Sequence, residues 1–364
     1  MSIGKCFSAV AAVLVVATSG GPTLAATQTR CTGYSRAKAN VLLTPGAIIS
    51  NGTVQLGVHR EGHLNVPGGT PSSGTGTTDV GLRYVPTNAE STAPGCLCEG
   101  WGIKDFLTGN WAGANEDQGG IVGNLPMTVE SFTSTATTAT SVVNVGGIFR
   151  VTHDYKPSTS PNLYQVDVTI QNISGAVVDL RYRRLMDWDI EPTAFSEFVT
   201  VVTGGSQAVG FTSNDGFDSP EPFNGNVGIG YTGEFTDAGP DDHGALFDFN
   251  FGGLLPGASF SFVTYYGAAG NEVDALAALA SQGVTVYSLG QPSTPDGPTL
   301  GTPNTFMFGF SGTGGSPLPT PVPVATATPT MPPEAIPTTS GKGLILFVGL
   351  LALVGAALLW RVRL

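Results

Sequence analysis

Apolar and polar residues alternate along much of the chain, and this period of two predicts β-strands. The clearest example is 164–171, where every second residue is apolar. A polar turn at 172–175 follows, and a second alternating stretch covers 178–190. We predict a β-hairpin from these two strands. The second would be roughly 40 Å long at about 3.3 Å per residue, so we expect a bulge or bend to interrupt it.

The two faces of the second strand differ in polarity. Its even positions are apolar except for Arg184, whereas its odd positions are mostly charged. Asp187 and Asp189 therefore share a face with Arg181 and Arg183. The pattern predicts a solvent-facing side on which carboxylates pair with arginines.

Shorter patterns predict the rest of the domain. We expect a loop at 68–78, which is nearly all Gly, Ser, Thr and Pro, and an irregular aromatic stretch at 93–111. Further strands are predicted at 53–58, 80–85, 198–202, 227–231, 245–251, 260–266, 284–288 and 305–310.

One short helix is predicted at 272–280, with Asn271 as its N-cap. Its expected apolar side consists of Val273, Leu276, Ala277 and Ala280. Many strands joined by Gly/Pro turns favour an all-β fold. We predict a large, supersandwich-like antiparallel β-sandwich.

The two ends of the chain differ from the middle. Residues 1–26 have a basic start, an apolar core and small residues, which is typical of a signal peptide. The segment 316–337 is rich in Pro and Thr and predicts an extended stalk. The run 343–360 carries no charge and is followed by two arginines, which predicts a transmembrane helix. The expected organisation is therefore a signal peptide at 1–26, a β-sandwich at 27–315, a linker at 316–337 and a C-terminal segment at 336–364.

The charge balance limits the classes of partner. All 27 acidic residues lie between the two end segments, with 11 of the 15 basic residues, for a net charge of −16 there. Nucleic-acid binding needs a basic face and is therefore not expected. The balance suits a solvated surface protein or one that attracts cations.

Three cysteines remain once the predicted signal peptide, with Cys6, is removed. An exported chain predicts one disulfide. Cys31 could pair with Cys96 or Cys98, or Cys96 could pair with Cys98, and one thiol is left over in each case.

Asp187, Asp189 and Glu191 are the candidate catalytic residues, because paired acids next to a tryptophan suit carbohydrate chemistry. Strand geometry favours a calcium or ion-pair role instead, because neighbours on one face are about 6.6 Å apart on the same edge. Trp101 and Trp111 are the candidate sugar-binding residues.

Two further patterns concern metals. His59 and His63 have zincin-like spacing, but the zincin motif needs Glu directly after the first His, and here Glu61 is two residues after it. We do not expect the two rings to share a face. Acidic loops could hold calcium. The residues of that candidate metal set are Asp215, Asp218, Asp241 and Asp242.

The C-terminal segment resembles a known sorting signal. It resembles the IPTL-type tail of bacterial surface proteins, processed by exosortase- or sortase-like enzymes, which implies export, a processing peptidase and retention at the surface. The residues that carry the resemblance are Ile336, Pro337, Thr338, Thr339 and Ser340, followed by Gly343. Residues 241–249 and 265–269 resemble uncharacterised β domains of such proteins.

Together these patterns predict an exported, C-terminally anchored cell-surface protein with a structural or adhesive role. Its expected partners are the membrane, the processing peptidase, and surface polysaccharides or other surface proteins. No enzymatic activity is predicted. The alternative is a carbohydrate-binding module or a glycoside hydrolase that acts on surface polysaccharide.

Overall fold

A computed structural model of the chain describes residues 45–224, 230–319 and 341–361. The predicted signal peptide, Cys31 and the sorting-signal residues 336–340 lie outside this described part. The helices are α1 (Glu272–Ser281), α2 (Gly297–Leu300) and α3 (Gly341–Arg361). The strands are β1 (Gly46–Ser50), β2 (Val54–His59), β3 (Val66–Pro67), β4 (Asp79–Val80), β5 (Leu82–Tyr84), β6 (Ala89–Glu90), β7 (Gly100–Asp105), β8 (Asn110–Asn115), β9 (Gly120–Gly123), β10 (Met127–Ser134), β11 (Ala139–Val145), β12 (Phe149–Pro157), β13 (Leu163–Asn172), β14 (Val178–Trp188), β15 (Glu197–Val202), β16 (Val209–Ser213), β17 (Phe235–Asp241), β18 (His243–Leu254), β19 (Ser259–Ala269), β20 (Val286–Pro292) and β21 (Thr305–Ser311).

Two large antiparallel sheets dominate the described residues. The nine-stranded sheet has the order β10-β11-β12-β13-β19-β21-β20-β15-β17, and the six-stranded sheet has the order β16-β18-β14-β7-β8-β9. Smaller sheets contain β1-β2-β5-β6 and β3-β4. The all-β class with large antiparallel sheets is thus confirmed.

A shared aromatic core joins the two large sheets. The ring of Tyr182 on β14 lies 5.1 Å from that of Phe262 on β19, and Phe247 on β18 lies 5.3 Å from Phe310 on β21. The alternation in β13 explains its part of this core, because Val166, Val168 and Ile170 are fully buried while the residues between them are partly exposed.

The predicted hairpin between β13 and β14 is wrong. β13 pairs with β12 and β19, whereas β14 pairs with β18 and β7 in the other sheet. The turn is therefore an arch from one sheet to the other. Asn172 holds it, because its side-chain amide donates to Ala176 O (2.8 Å) and Leu254 O (2.9 Å). Both strands bury an apolar face in the same core. A hairpin within one sheet and an arch between two sheets are both compatible with that alternation, so the pattern alone did not distinguish them.

The predicted interruption of β14 is confirmed, since its register to β18 shifts between Leu180 and Arg181. The predicted solvent face is wrong. Arg183 and Asp187 are at most 1% exposed. The chain after β16 covers this side of the sheet so closely that a Cβ on Gly216 would lie 2.3 Å from Met186 O.

Helix α1 begins as predicted, because the Asn271 side chain accepts a hydrogen bond from Asp274 N. Its predicted apolar side is confirmed at Ala280, which is buried, and at Leu276, which packs partly buried against the core, but it is wrong at Val273. Val273 is 75% exposed, and the helix packs through Ala275 and Leu279 instead. An alanine-rich helix has little contrast between its sides, so its tertiary contacts decide which side is buried.

Most of the shorter predictions hold. Each short predicted strand except 227–231 overlaps an observed strand, and 68–78 contains no strand. In the exception, 227–229 lie outside the described residues and 230–231 are not in a strand. The irregular stretch predicted at 93–111 is wrong in part, because β7 and β8 form a regular antiparallel pair there.

The C-terminal segment forms α3, in which the side chains of 341–347 and 359 are not described. Within the described part of the chain, no helix combines the length and the apolar character needed to cross a membrane. The transmembrane helix expected at 343–360 falls within α3 and stays a prediction.

Candidate metal centres

The acidic run at the end of β14 divides between two places. Strand pairing ends at Trp188, and the chain then runs beside residues 90 and 91, where Asp189 N donates to Ser91 O (2.7 Å) and Glu191 N to Glu90 O (3.1 Å). The carboxylates of Asp187 and Asp189 stay together, whereas that of Glu191 turns toward the loop at 68–78.

Glu191 is held by hydrogen bonds from two other segments. Its carboxylate accepts from Thr75 N and Oγ1 (2.6 Å each), from Ser72 Oγ, and from Glu90 N (3.0 Å). Burial alone would raise the pKa of Glu191, but these hydrogen bonds outweigh it and lower the pKa below its ordinary value. The carboxylate thus fastens the 68–78 loop to the chain after β14.

Asp187 and Asp189 meet Asp242, the single residue between β17 and β18. One carboxylate oxygen from each residue lies within 4.8 Å of the other two. We call these three residues the acidic cluster. Asp187 is 1% exposed and Asp189 is fully buried, while Asp242 is exposed to solvent. The cluster is therefore a buried pair with one solvent-facing member.

Three oxygens of the buried pair lack hydrogen-bond partners. Asp187 Oδ1 and both Asp189 carboxylate oxygens accept no hydrogen bond within the described residues. Asp187 Oδ2 lies 3.2 Å from Cys96 Sγ. No ion pair in the described ranges includes a member of the acidic cluster. Buried carboxylates of this kind either hold protons or bind a cation.

The surroundings of the acidic cluster are negative. Burial, followed by the repulsion of Asp242, raises the pKa of Asp187 well above its ordinary value. Burial and then the charges of Asp187 and Glu197 do the same to the pKa of Asp189. Burial also raises the pKa of Glu197 to about 10. A cation placed here would relieve both the burial cost and the mutual repulsion.

The arginines expected to pair with these acids bind other partners. Arg183 donates to Asp218 and Asp248, each at 2.7 Å. Arg181 pairs with Asp179. The predicted pairing of Asp187 and Asp189 with arginines is therefore wrong, because the covering segment brings Asp218 to Arg183.

The structure does not assemble the predicted calcium set. Asp218 binds Arg183, and Asp215 accepts a hydrogen bond from Phe217 N (3.1 Å). Asp241 is exposed at the end of β17. Only Asp242 of the four joins a candidate metal group within the described residues.

A second candidate group contains His59, His63 and Glu116. The prediction that the two rings do not share a face is wrong, because they stack with centroids 4.3 Å apart. The turn after β2 brings them together, with His59 N donating to His63 O (2.8 Å). Their Nε2 atoms lie 3.8 and 3.9 Å from Glu116 Oε2.

This histidine group is already partly engaged. His59 Nε2 lies 2.9 Å from Asn65 O, so that nitrogen has a protein partner. His63 is fully buried, and burial followed by the nearby His59 lowers its pKa to about 3, so it is neutral at pH 7. A metal at this group would compete with Asn65 O for the Nε2 of His59 or would bind that residue through Nδ1.

The tryptophans do not form the expected sugar-binding pair. Trp101 is fully buried, packs against His153 with centroids 4.8 Å apart, and donates Nε1–H to Glu61 O (2.9 Å). Its predicted role as a binding residue is wrong. Trp111 is partly buried on β8, opposite Lys104 of β7.

Cys96 and Cys98 form a close bonded pair, with Cα atoms 5.3 Å apart. This is one of the three pairings that the sequence allowed. The pair also borders the acidic cluster through Cys96.

The sequence did not identify a buried polar centre between the sheets. Arg184 Nε donates to Glu99 Oε1 (2.6 Å), and that oxygen also accepts from Tyr266 Oη (2.9 Å). Arg184 interrupts the apolar face of β14, and this was the one available signal. Glu99 is 85 residues from Arg184 and 167 residues from Tyr266 along the chain, so no local sequence pattern connects the three.

No protein-family model matches the chain, and no curated protein shows significant similarity to it.

Proposed function

We propose that the protein is an exported cell-surface protein whose β domain has a structural or adhesive role in the envelope or extracellular matrix. The observation that carries this proposal is the outer face of the nine-stranded sheet. We interpret the two packed sheets as one supersandwich-like scaffold that holds this face rigid.

The outer face carries polar side chains on adjacent strands, and some of them hydrogen-bond to one another. Thr152 on β12 lies opposite Thr169 on β13, which lies opposite Ser261 on β19, so hydroxyl groups form a row across three strands. Thr169 Oγ1 and Ser261 Oγ are 3.0 Å apart. Such a row offers both donors and acceptors, which suits hydrogen bonding to polysaccharides or to polar protein surfaces.

Charged pairs flank the hydroxyl row. Arg150 donates to Glu130 (2.7 Å), and Lys156 pairs with Asp154 (3.6 Å) and Asp167. These charges are partly exposed and of both signs, two basic and three acidic, so they keep the face soluble without a strong field of one sign. We interpret a polar sheet face of this kind as a surface for adhesion rather than for turnover of a substrate.

Export and retention are supported by the sequence of the two ends. The basic and apolar start resembles a signal peptide, and the last residues resemble a sorting signal. In this proposal, processing and retention depend on Ile336, Pro337 and the residues that follow them.

Localisation is the first test. In cells that express the full chain, external protease should degrade the protein without cell lysis, and deletion of 343–364 should move it to the medium. Full protection from external protease, or retention of the deletion variant on cells, would contradict the proposal.

Adhesion by the outer face is tested with the full chain and matrix polysaccharide in a co-sedimentation assay. Thr152→Arg and Thr169→Arg should weaken binding. Leu255→Arg adds the same charge at a turn residue that is 64% exposed, and binding should remain unchanged. Equal binding by all four proteins would exclude this face as the adhesive surface.

A further inference from the structure

We infer that Asp187, Asp189 and Asp242 bind a divalent cation of the calcium class. The inference concerns the folded protein alone and does not depend on the proposed surface role.

The unpartnered oxygens point to a missing ligand. Asp189 is fully buried, and among the described residues neither of its carboxylate oxygens accepts a hydrogen bond, while Asp187 accepts none at Oδ1. Buried polar groups in folded proteins are nearly always hydrogen-bonded, and buried charges are paired or coordinate metals. One carboxylate oxygen of each of Asp187, Asp189 and Asp242 lies within 4.8 Å of an oxygen of the other two, so a single ion can contact all three side chains.

The donor set selects the class of ion. All three side chains offer carboxylate oxygens, which are the ligands that calcium prefers. The 4.8 Å limit on their separations is about twice a calcium–oxygen distance of 2.3–2.6 Å, so the oxygens fit around one such ion. Zinc favours nitrogen and sulfur ligands, and the nearby sulfurs of Cys96 and Cys98 are bonded to each other.

An ion could reach the acidic cluster from solvent, and it would link three separate segments of the chain. Asp242 is exposed, so water can reach the cluster and complete the coordination from that side. The three ligands come from the end of β14, the chain beside Ser91 and the β17–β18 turn. A Cβ on Gly95 would lie 3.1 Å from Asp189 Oδ2, so the loop that carries the cysteine pair also packs closely against the site. A bound ion would tie these segments together.

A proton shared by Asp187 and Asp189 is the competing explanation. It would neutralise part of the charge, but a hydrogen bond between the two acids leaves the remaining oxygens and the repulsion of Asp242 and Glu197 unrelieved. The two explanations differ in one measurable respect, because only the ion site makes stability depend on calcium.

The test uses the purified full chain after treatment with EGTA. Calorimetric titration with CaCl2 at pH 7 should show saturable binding of one ion per chain, and CaCl2 should raise the melting temperature. MgCl2 should bind more weakly, because magnesium demands near-ideal octahedral geometry.

Two variants and one control locate the site. Asp189→Asn and Asp242→Asn should each weaken calcium binding about tenfold or more, because each removes a charged ligand. Asp241→Asn changes the adjacent exposed carboxylate, which is outside the cluster, and should bind calcium like the original protein. Asp242 is exposed, so its variant should fold even if the buried Asp189→Asn does not.

Four outcomes, the first three concerning calcium and the last zinc, would overturn the inference. The first three are the absence of saturable calcium binding by the unaltered chain, unchanged affinity in Asp242→Asn, and equal weakening in Asp241→Asn. The fourth is a preference for zinc over calcium.

Discussion

At the scale of single residues, the hydrogen-bond partners around each buried acid determine what that acid does. Glu191 and Asp189 are two residues apart and both are fully buried. Glu191 accepts hydrogen bonds from Ser72, Thr75 and Glu90, and its pKa is lowered. The carboxylate of Asp189 accepts no hydrogen bond from the described residues, and burial raises its pKa. The same side-chain chemistry therefore fastens a loop in one case and leaves an open ligand position in the other.

The fastening role of Glu191 predicts the effect of Glu191→Gln. The amide cannot accept from Glu90 N and from the Ser72–Thr75 segment at once without turning its NH2 group toward a donor. We expect a loss of about 1.5–3 kcal/mol in the free energy of unfolding at pH 7, measured by chemical denaturation.

The same substitution should show a defined pH dependence. A carboxylate whose pKa is lowered by folding contributes stability above its unfolded pKa of about 4.3, and this stability is lost as pH falls through the folded pKa. The difference between the two proteins should therefore shrink below about pH 4. Glu221→Gln, at the partly exposed pair with Lys104, should cost less than about 1 kcal/mol. A pH-independent difference would show that the Glu191 charge plays no part.

At the scale of elements, the arch between β13 and β14 decides the topology. A hairpin would have placed both strands in one sheet, but each pairs with strands distant in sequence. Asn172 satisfies two carbonyls at the crossing and accepts from Ser174 N (2.9 Å). The Asn172 side chain therefore stabilises the arch, together with backbone hydrogen bonds such as Ile173 N to Ile148 O (2.8 Å).

Asn172→Ala should destabilise the protein by about 2–3 kcal/mol, because it leaves buried backbone groups unpaired. Thermal or chemical denaturation would measure the loss. Asn144→Ala, on the partly exposed outer face, should cost less than about 1 kcal/mol. If both variants lost the same stability, the arch would not depend on this side chain.

At the scale of the whole molecule, the two large sheets depend on one core. Phe247 of the six-stranded sheet contacts Phe308 and Phe310 of the nine-stranded sheet, with ring centroids 5.8 and 5.3 Å apart. Neither sheet can open without exposing apolar surface of the other.

Phe247→Ala should therefore cost about 3–5 kcal/mol and affect both sheets. Hydrogen exchange should become faster in β14 and in β21 together. Leu255→Ala, at a side chain 64% exposed, should change stability by less than about 0.5 kcal/mol. Faster exchange in one sheet alone would mean that the sheets unfold independently.

The sequence by itself determined the features that depend on neighbours along the chain. The alternation of β13, the Asn271 cap of α1 and the loop at 68–78 could be predicted because strand faces, caps and turns are set within a few residues. The negative charge and the acidic run at 187–191 were visible for the same reason.

Only the tertiary structure decided which sheet each strand joins and which polar residues are buried. The arch after Asn172, the stacking of His59 on His63 and the meeting of Asp187 and Asp189 with Asp242 all need contacts between distant segments. An alternating sequence pattern predicts that the two faces of a strand differ in polarity, but it does not predict which segments of the chain cover each face. Here the chain after β16 covers the charged side of β14, and that packing turned an apparent solvent face into a buried candidate site.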